Sequence, residues 1–473
     1  MLANLLNRRT FLRDSGVGLG SVALAGMLAR ETQASGASRL GGLPALPHFA
    51  PKAKRVIFLC MAGGPSHLES FDNKPRLTEI SGQPIPESVT AGQPIAQLQG
   101  AELTAQGAMT RFRRYGECGL EVSDFFPHTA KLADDIAVIK SMVTEQINHD
   151  PAHTFMNTGS AISGRPSMGS WINYGLGSEC DNLPGFVVLM SHSGRSPQPI
   201  SSRQWSAGFL PGRYQGVPLN ATGDVVHYVG NPPGVDRASQ RRLIDQITRL
   251  DAHRNRQTAN PAIDSRIAAY ELAFRMQASV PALADCSDEP ASILQKYGAT
   301  PGDGSFASNC LLARRLAERG VRFIQLYHKG WDHHGGLLKH MTTSAGSTDR
   351  ACWALVDDLK QRGLLDDTLV IWGGEFGRTP MVQRKSEGIG RDHHIKGFTM
   401  WLAGGGVKPG VSYGATDDLG YHATENPVHV RDLHATMLAL LGVDHNRLTV
   451  KHQGLDLKLT GVEPARVVRE VLA

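Results

Sequence analysis

The chain is predicted to be an α/β protein, built on strand–helix–strand units. Three observations predict this. Short apolar runs at Phe323–Tyr327, Thr368–Trp372 and Phe398–Leu402 are each bordered by a polar cluster. Residues 347–363 stand between the first two runs, with Ala351, Leu355, Val356 and Leu359 at helical spacing and Gly363 as a stop. The clusters themselves are Trp331-Asp332-His333-His334, Gly374-Glu375-Phe376-Gly377-Arg378 and Gly390-Arg391-Asp392-His393-His394. They fall at strand ends, where α/β proteins hold their ligands.

The N-terminus carries Asn7-Arg8-Arg9-Thr10-Phe11-Leu12-Arg13, similar to a twin-arginine export motif. A Gly/Ala-rich apolar stretch, 15–28, and small residues at 34–37 follow it. Residues 1–37 are therefore read as a twin-arginine signal peptide. The expected partner is the twin-arginine export machinery, and the mature chain is expected to be periplasmic or secreted. Residues 38–473 are read as one α/β domain, with 193–310 an irregular and helical insert forming a rim over the sheet. No membrane span is expected in the mature chain.

Arg55–Met61 reads as a buried strand. It runs into Gly63-Gly64-Pro65-Ser66-His67, either a nest of N–H groups for an anion or a plain capped turn. Residues 73–133 are loop-rich. Asp135–Met142 is the second strand, and 148–159 reads as a loop that becomes a helix and stops at Gly159. Phe186–Met190 is a third buried strand. Residues 237–281 have helical spacing, Cys310–Gly320 forms the helix before the Phe323 strand, and Val430–Leu441 is a helix stopped by Gly442.

Composition excludes some functions. The formal charge of +5 falls to +3 once the four arginines and two acids of residues 1–37 are removed. That is too mild a charge for a nucleic-acid partner, and no basic block appears. The six cysteines contain no C-x-x-C pair, so a cysteine zinc site is not expected. Cys60 and Cys352 lie inside apolar patterns as buried thiols. Nineteen histidines, many beside Asp or another His, instead suggest imidazole ligands.

Thr368–Gly377 is similar to the sulfatase segment in which a strand ends in Ser-Asp-His-Gly. Val407-Lys408-Pro409-Gly410 and Asp432–Leu438 resemble sulfatase closing segments. More closely, Gly63-Gly64-Pro65-Ser66, Trp331-Asp332-x-His334, Gly374–Pro380 and Gly390-Arg391-Asp392-His393 resemble the domain of unknown function 1501 family, from about residue 40 onward. The resemblance implies an alkaline phosphatase/sulfatase-like fold, a mixed, mostly parallel β-sheet flanked by helices, with two metals clamping an in-line displacement at phosphorus or sulfur. The chain departs from that superfamily at three places. Gly63-Gly64-Pro65-Ser66 replaces the metal-binding Asp after the first strand, His149 occupies the nucleophile position, and Glu375-Phe376 replaces the later Asp-His pair.

Asp332 and His334, two apart in an extended segment, face one side and would share an ion. Glu375 is a ligand or the partner of Arg378. Asp392 and His393 read as ligand and orienter, with helix-type capping as the alternative for Asp392. Arg378 would clamp an anionic oxygen. His149 is a nucleophile, a base or a ligand, and Ser66 is the alternative nucleophile, with His67 beside it. The cofactor expected is one or more divalent ions, with zinc, manganese and calcium all considered. The function expected is metal-dependent hydrolysis of a phosphate or sulfate ester, with an anionic ester or glycan as substrate. The alternatives are a binding or assembly protein that keeps the fold, and an anion- or glycan-binding protein without metal.

Overall fold

The computed structural model describes residues 41–193, 198–220, 222, 223, 225, 226, 230, 231 and 233–473. The expected signal peptide lies outside these residues, as do parts of the 193–235 stretch. The frame is a twisted sheet built from β1 (Arg55–Ala62), β2 (Ile136–Val143), β3 (Phe186–His192), β4 (Val217–Leu219), β5 (Phe323–Lys329) and β6 (Thr368–Gly373). Further along the chain come the short strands β7 (Gly377–Arg378) and β8 (His393–His394), then β9 (Phe398–Ala403), β10 (Val411–Tyr413) and β11 (Val428–His429). In space the sheet runs β10-β2-β9-β6-β1-β5-β3-β4, with β11 also on β2. Only β9 runs against its two neighbours; the other pairs in this sheet are parallel.

Both faces of the sheet are covered, so its central strands are mostly apolar rather than alternating with polar residues, and exceptions such as Gln325 and His328 are buried. Along β1, Ile57, Leu59 and Met61 join one core while Val56, Phe58 and Cys60 join the other. The first core is roofed by α5 (Phe306–Glu318) and α6 (Leu337–Gln361). Phe155 and Met156 of α1 (His149–Thr158), Trp171 of α2 (Met168–Leu176) and Leu433 of α7 (Val430–Leu440) close the second. Each such side chain, fully removed from water, contributes about 1.5–3 kcal/mol.

The predicted elements are present, with three differences. The helix expected at 347–363 begins ten residues earlier, because Leu337, Met341, Ser344 and Ala345 already keep a buried face despite Thr342 and Thr343. The helical region 237–281 is two helices, α3 (Arg237–Thr258) and α4 (Pro261–Ala284), broken where Ala259 turns left-handed before the Asn260 cap. An edge strand, β4, lies inside the stretch read as irregular, and its Pro218 suits an edge position.

The register sets the site. Cys60 pairs with both Tyr327 and Gly373, so β1, β5 and β6 end at one level. The start of β9 joins that edge, since Phe398 pairs with Met142 near the end of β2. All three polar clusters and α1 therefore meet at a single rim.

Candidate metal centre

Four segments bring donors to this rim. After β5 the chain turns at Gly330, and fully buried Trp331 anchors the turn while Asp332 and His334 face one side. His333 faces inward, its Nε2 2.9 Å from the Gly330 carbonyl. Gly63 lets the end of β1 lie against this turn: a Cβ there would be 2.4 Å from the Asp332 nitrogen. The freed Gly63 N–H donates to both carboxylate oxygens of Glu375, at 3.0 and 3.2 Å. Helix α1 presents His149 and His153 one turn apart, on one face. His393 comes from β8, paired with β7 opposite Arg378.

Three imidazoles converge on one carboxylate oxygen. Asp332 Oδ1 lies 3.1 Å from His149 Nε2, 3.0 Å from His334 Nε2 and 3.3 Å from His393 Nε2. His334 Nε2 and His393 Nε2 are 2.9 Å apart. The other ring nitrogens fix the tautomers. His334 Nδ1 donates to Gln383 Oε1 at 2.6 Å, His393 Nδ1 to the Ile147 carbonyl at 2.8 Å, and His149 Nδ1 to Glu375 Oε1 at 2.7 Å. Each partner accepts, so each Nδ1 carries a proton and each Nε2 is the ring atom aimed at Asp332.

Three imidazole nitrogens crowded on one carboxylate oxygen call for positive charge among them, whether a proton on a ring or a metal cation. The donor set of three imidazole nitrogens and one carboxylate oxygen suits a transition-type divalent ion. Four such donors at roughly 2.0–2.2 Å from an ion in a tetrahedron stand about 3.3–3.6 Å apart. Four of the six separations, at 2.9–3.3 Å, need only small outward movement to reach this, and all four donor atoms lie within 4.8 Å of one another. Calcium, which takes six to eight oxygen ligands, does not fit this donor set.

The two carboxylates draw positive charge to His149 in particular. Burial disfavours a charged His149, yet its contacts with Asp332 and Glu375 outweigh this and raise its pKa to about 9. Burial alone would raise Asp332 too, but Arg378 and the three histidines hold it well below the carboxylate range. Glu375, fully buried, is likewise brought down to about 2 by His153 and His149. His393 is lowered to about 4, by burial first, then by Arg378 and the neighbouring imidazoles against the pull of Asp332.

The predicted site residues divide into two groups. Asp332, His334 and His393 come together, and His149 joins them as a fourth donor. Glu375 stands behind His149 in a second donor group, with His153 Nε2 3.3 Å from its Oε1. His153 was missed by sequence reasoning, although its four-residue spacing from His149 was the available signal. The others lie outside the donor cluster. Asp392, expected as a ligand, accepts instead from the backbone N–H groups of Gln97 (2.6 Å), Leu98 (2.9 Å) and His393 (2.9 Å). Arg378, expected on an anion, is fully buried and gives its guanidinium to the Gly64 and Arg391 carbonyls (2.9 and 3.1 Å), to the Gly63 carbonyl and to Asp332 (2.6 Å). Ser66 is buried and donates to Glu69, which is itself paired with buried Arg391 at 2.6 Å. His67 Nε2 lies 2.8 Å from the Gly420 carbonyl.

A family described as "Protein of unknown function (DUF1501)" matches residues 53–472. The chain belongs to this family. The DUF1501 protein is also similar to solved structures at low identity. One is the phosphonate monoester hydrolase SpPMH from Silicibacter pomeroyi, at 13% identity over 73% of this chain and 71% of the hydrolase, with a TM-score of 0.32. Another is the PsFucS1 sulfatase from Pseudoalteromonas sp., at 13% identity over 83% and 68% of the two chains, TM-score 0.34. A third is a protein in the alkaline phosphatase superfamily from Vibrio parahaemolyticus, at 12% identity over 86% and 72%, TM-score 0.32. No curated protein matches the DUF1501 sequence. No helix among its described residues is long and apolar enough to cross a membrane.

Proposed function

We propose that this DUF1501 protein is a metal-dependent hydrolase of a phosphate or sulfate ester, exported by the twin-arginine route that the Asn7–Arg13 motif suggests. The observation carrying the reading is the convergence of His149, His334 and His393 Nε2 on Asp332 Oδ1. A divalent ion, zinc or manganese, held there would act as a Lewis acid toward an ester oxygen. The protein's own groups do the rest. Glu375 takes the His149 Nδ1–H and fixes that ring, while Gln383 and the Ile147 carbonyl fix the other two. Arg378 withdraws charge from Asp332, which makes that oxygen a weaker donor and leaves a bound cation more electrophilic. Asp332 and His334 keep 19% and 15% of their side-chain surface exposed, so the centre is open on one side. With the Ser66 hydroxyl held by Glu69, the attacking oxygen is expected from solvent through that opening.

The test is elemental mass spectrometry on protein exported in its native host, beside an Asp332→Ala/His334→Ala variant. About one equivalent of metal, lost in the variant, supports the reading and opens a screen of phosphate and sulfate esters. Metal-free wild-type protein overturns it. One observation favours the second reading, a binding protein that has kept the fold: both the Ser66 hydroxyl and the Arg378 guanidinium are engaged within the protein. Metal without turnover on any ester would select that reading.

A further inference from the structure

The buried Arg378 leaves the open side of the metal centre without the anion-binding group expected there, and a different set of residues faces it. The carboxamide of Gln97 projects from the 91–100 segment over the opening. Its Nε2 lies 3.2 Å from His334 Nε2, and its Oε1 accepts from Gln383 Nε2 at 3.1 Å and from Lys385 Nζ at 3.0 Å. Gln383 is buried and holds His334 through its other end, so its amide N–H has a fixed direction. Lys385 is exposed, and its Cβ packs close to Gly335, where an added Cβ would come 3.0 Å from it. Residues 383–385 and 388–390 form a hairpin seated by Gly390, whose Cβ position lies 2.1 Å from the His334 carbonyl carbon. The nearby carboxylate Glu387 has its Oε2 3.8 Å from His340 Nε2. Gln97 Oε1 thus occupies a seat formed by one cation and one oriented amide, beside the donors of the metal centre.

We propose that Lys385 and Gln383 form the anion-recognising wall of this site, and that Gln97 Oε1 marks the position taken by a non-bridging oxygen of a phosphate or sulfate group. The inference rests on the hydrolase reading for its substrate class, but the seat itself is a property of the polypeptide. The His334 lone pair that now receives the Gln97 amide is the one needed to complete the metal centre, so loading the centre frees the carboxamide to leave. A charged donor and a neutral donor aimed at one oxygen suit an anion better than a neutral amide.

The experiment is calorimetric titration of the full exported protein with inorganic phosphate and, separately, sulfate. Wild type, Lys385→Ala, Lys385→Arg and Gln97→Ala are compared, with metal content measured on each. Lys385→Ala is expected to keep wild-type metal content while binding phosphate or sulfate about tenfold to a hundredfold more weakly. Lys385→Arg should recover part of the loss, and Gln97→Ala should bind as tightly as wild type or tighter. Unchanged binding in Lys385→Ala, weaker binding in Gln97→Ala, or no binding of either anion by wild type would overturn the proposal. Metal-free wild-type protein would overturn the hydrolase reading alone, because Gln97→Ala, whose seat is vacant with or without metal, still reads anion binding in that case.

Discussion

His149 is where the two donor groups meet, with Nε2 facing Asp332 and Nδ1 bonded to Glu375. Removing it should cost more metal affinity than removing its partner. A competitive chelator titration is expected to show His149→Ala holding no stoichiometric metal, and Glu375→Gln weakened about 10- to 100-fold with the fold retained. Equal affinity in Glu375→Gln and wild type would show that the carboxylate does not orient the ring. Two histidines away from this centre predict acid sensitivity. Burial lowers His328 to about 3 and His434 to about 4, so both are neutral in the folded protein at mildly acid pH. The unfolded chain protonates them near 6.5, so between there and about 4 it binds more protons than the native state. Their stabilising contribution is complete above 6.5 and falls as pH drops through that window. The urea midpoint should decline accordingly, and a flat profile would contradict it. At this scale the Asp332–His334 pair was legible from its two-residue spacing. The partners of Asp392 were not, because the N–H groups it accepts lie some 295 residues earlier, in a stretch with no periodicity.

Among the elements, the junction of β1 with the β5 turn is the tightest. The Gly63-Gly64 turn was legible as a turn, but its reason was not. Gly63, at φ +123°, has no room for a Cβ against the Asp332 nitrogen. The same contact gives a physical reason why no carboxylate follows the first strand. Gly63→Ala is expected to be destabilised by about 2 kcal/mol or more and to lose metal, since both Asp332 and Glu375 depend on that contact. Thermal unfolding and metal content of the variant check this, and a wild-type melting temperature would refute it. β1, β2, β3, β5, β6 and β9 were legible because both faces of the sheet are covered and their runs are mainly apolar, whereas the three-residue strands β4 and β10 and the two-residue β11 were too short to read. The first turns of α6 were not, because two threonines and Gly346 interrupt a buried face that only the packed partner reveals.

For the whole molecule, the two cores determine which thiols can react. All six cysteines are free; Cys60, Cys180, Cys310 and Cys352 are buried, Cys286 is half-buried and Cys118 is exposed. Burial also pushes the Cys60, Cys310 and Cys352 thiols well above their usual range, so their thiolates are scarce. Native protein should therefore show one fast-reacting thiol, abolished by Cys118→Ala, a slower one at Cys286, and the remainder only on unfolding. More than two reactive thiols in the native protein would mean that the cores open readily. The apolar settings of Cys60 and Cys352 were already legible, while the exposure of Cys118 depends on a hairpin at 112–123 that the sequence did not disclose.

The reversed strand β9 has a consequence for the order in which the protein can be assembled on the ribosome. It lies between β2 and β6, so within the sheet the edge carrying β2, and His149 after it, pairs with the half carrying Asp332 through residues 398–403, while Asn157 of α1 also accepts from Tyr327 of β5 at 3.0 Å. His393 is also made just before that strand. A nascent chain that has emerged only as far as residue 380 carries three of the four donors, and the fourth arrives together with the strand that completes the sheet between β2 and β6. On the hydrolase reading, a complete metal centre would therefore await a late strand inserted into the middle of an earlier sheet.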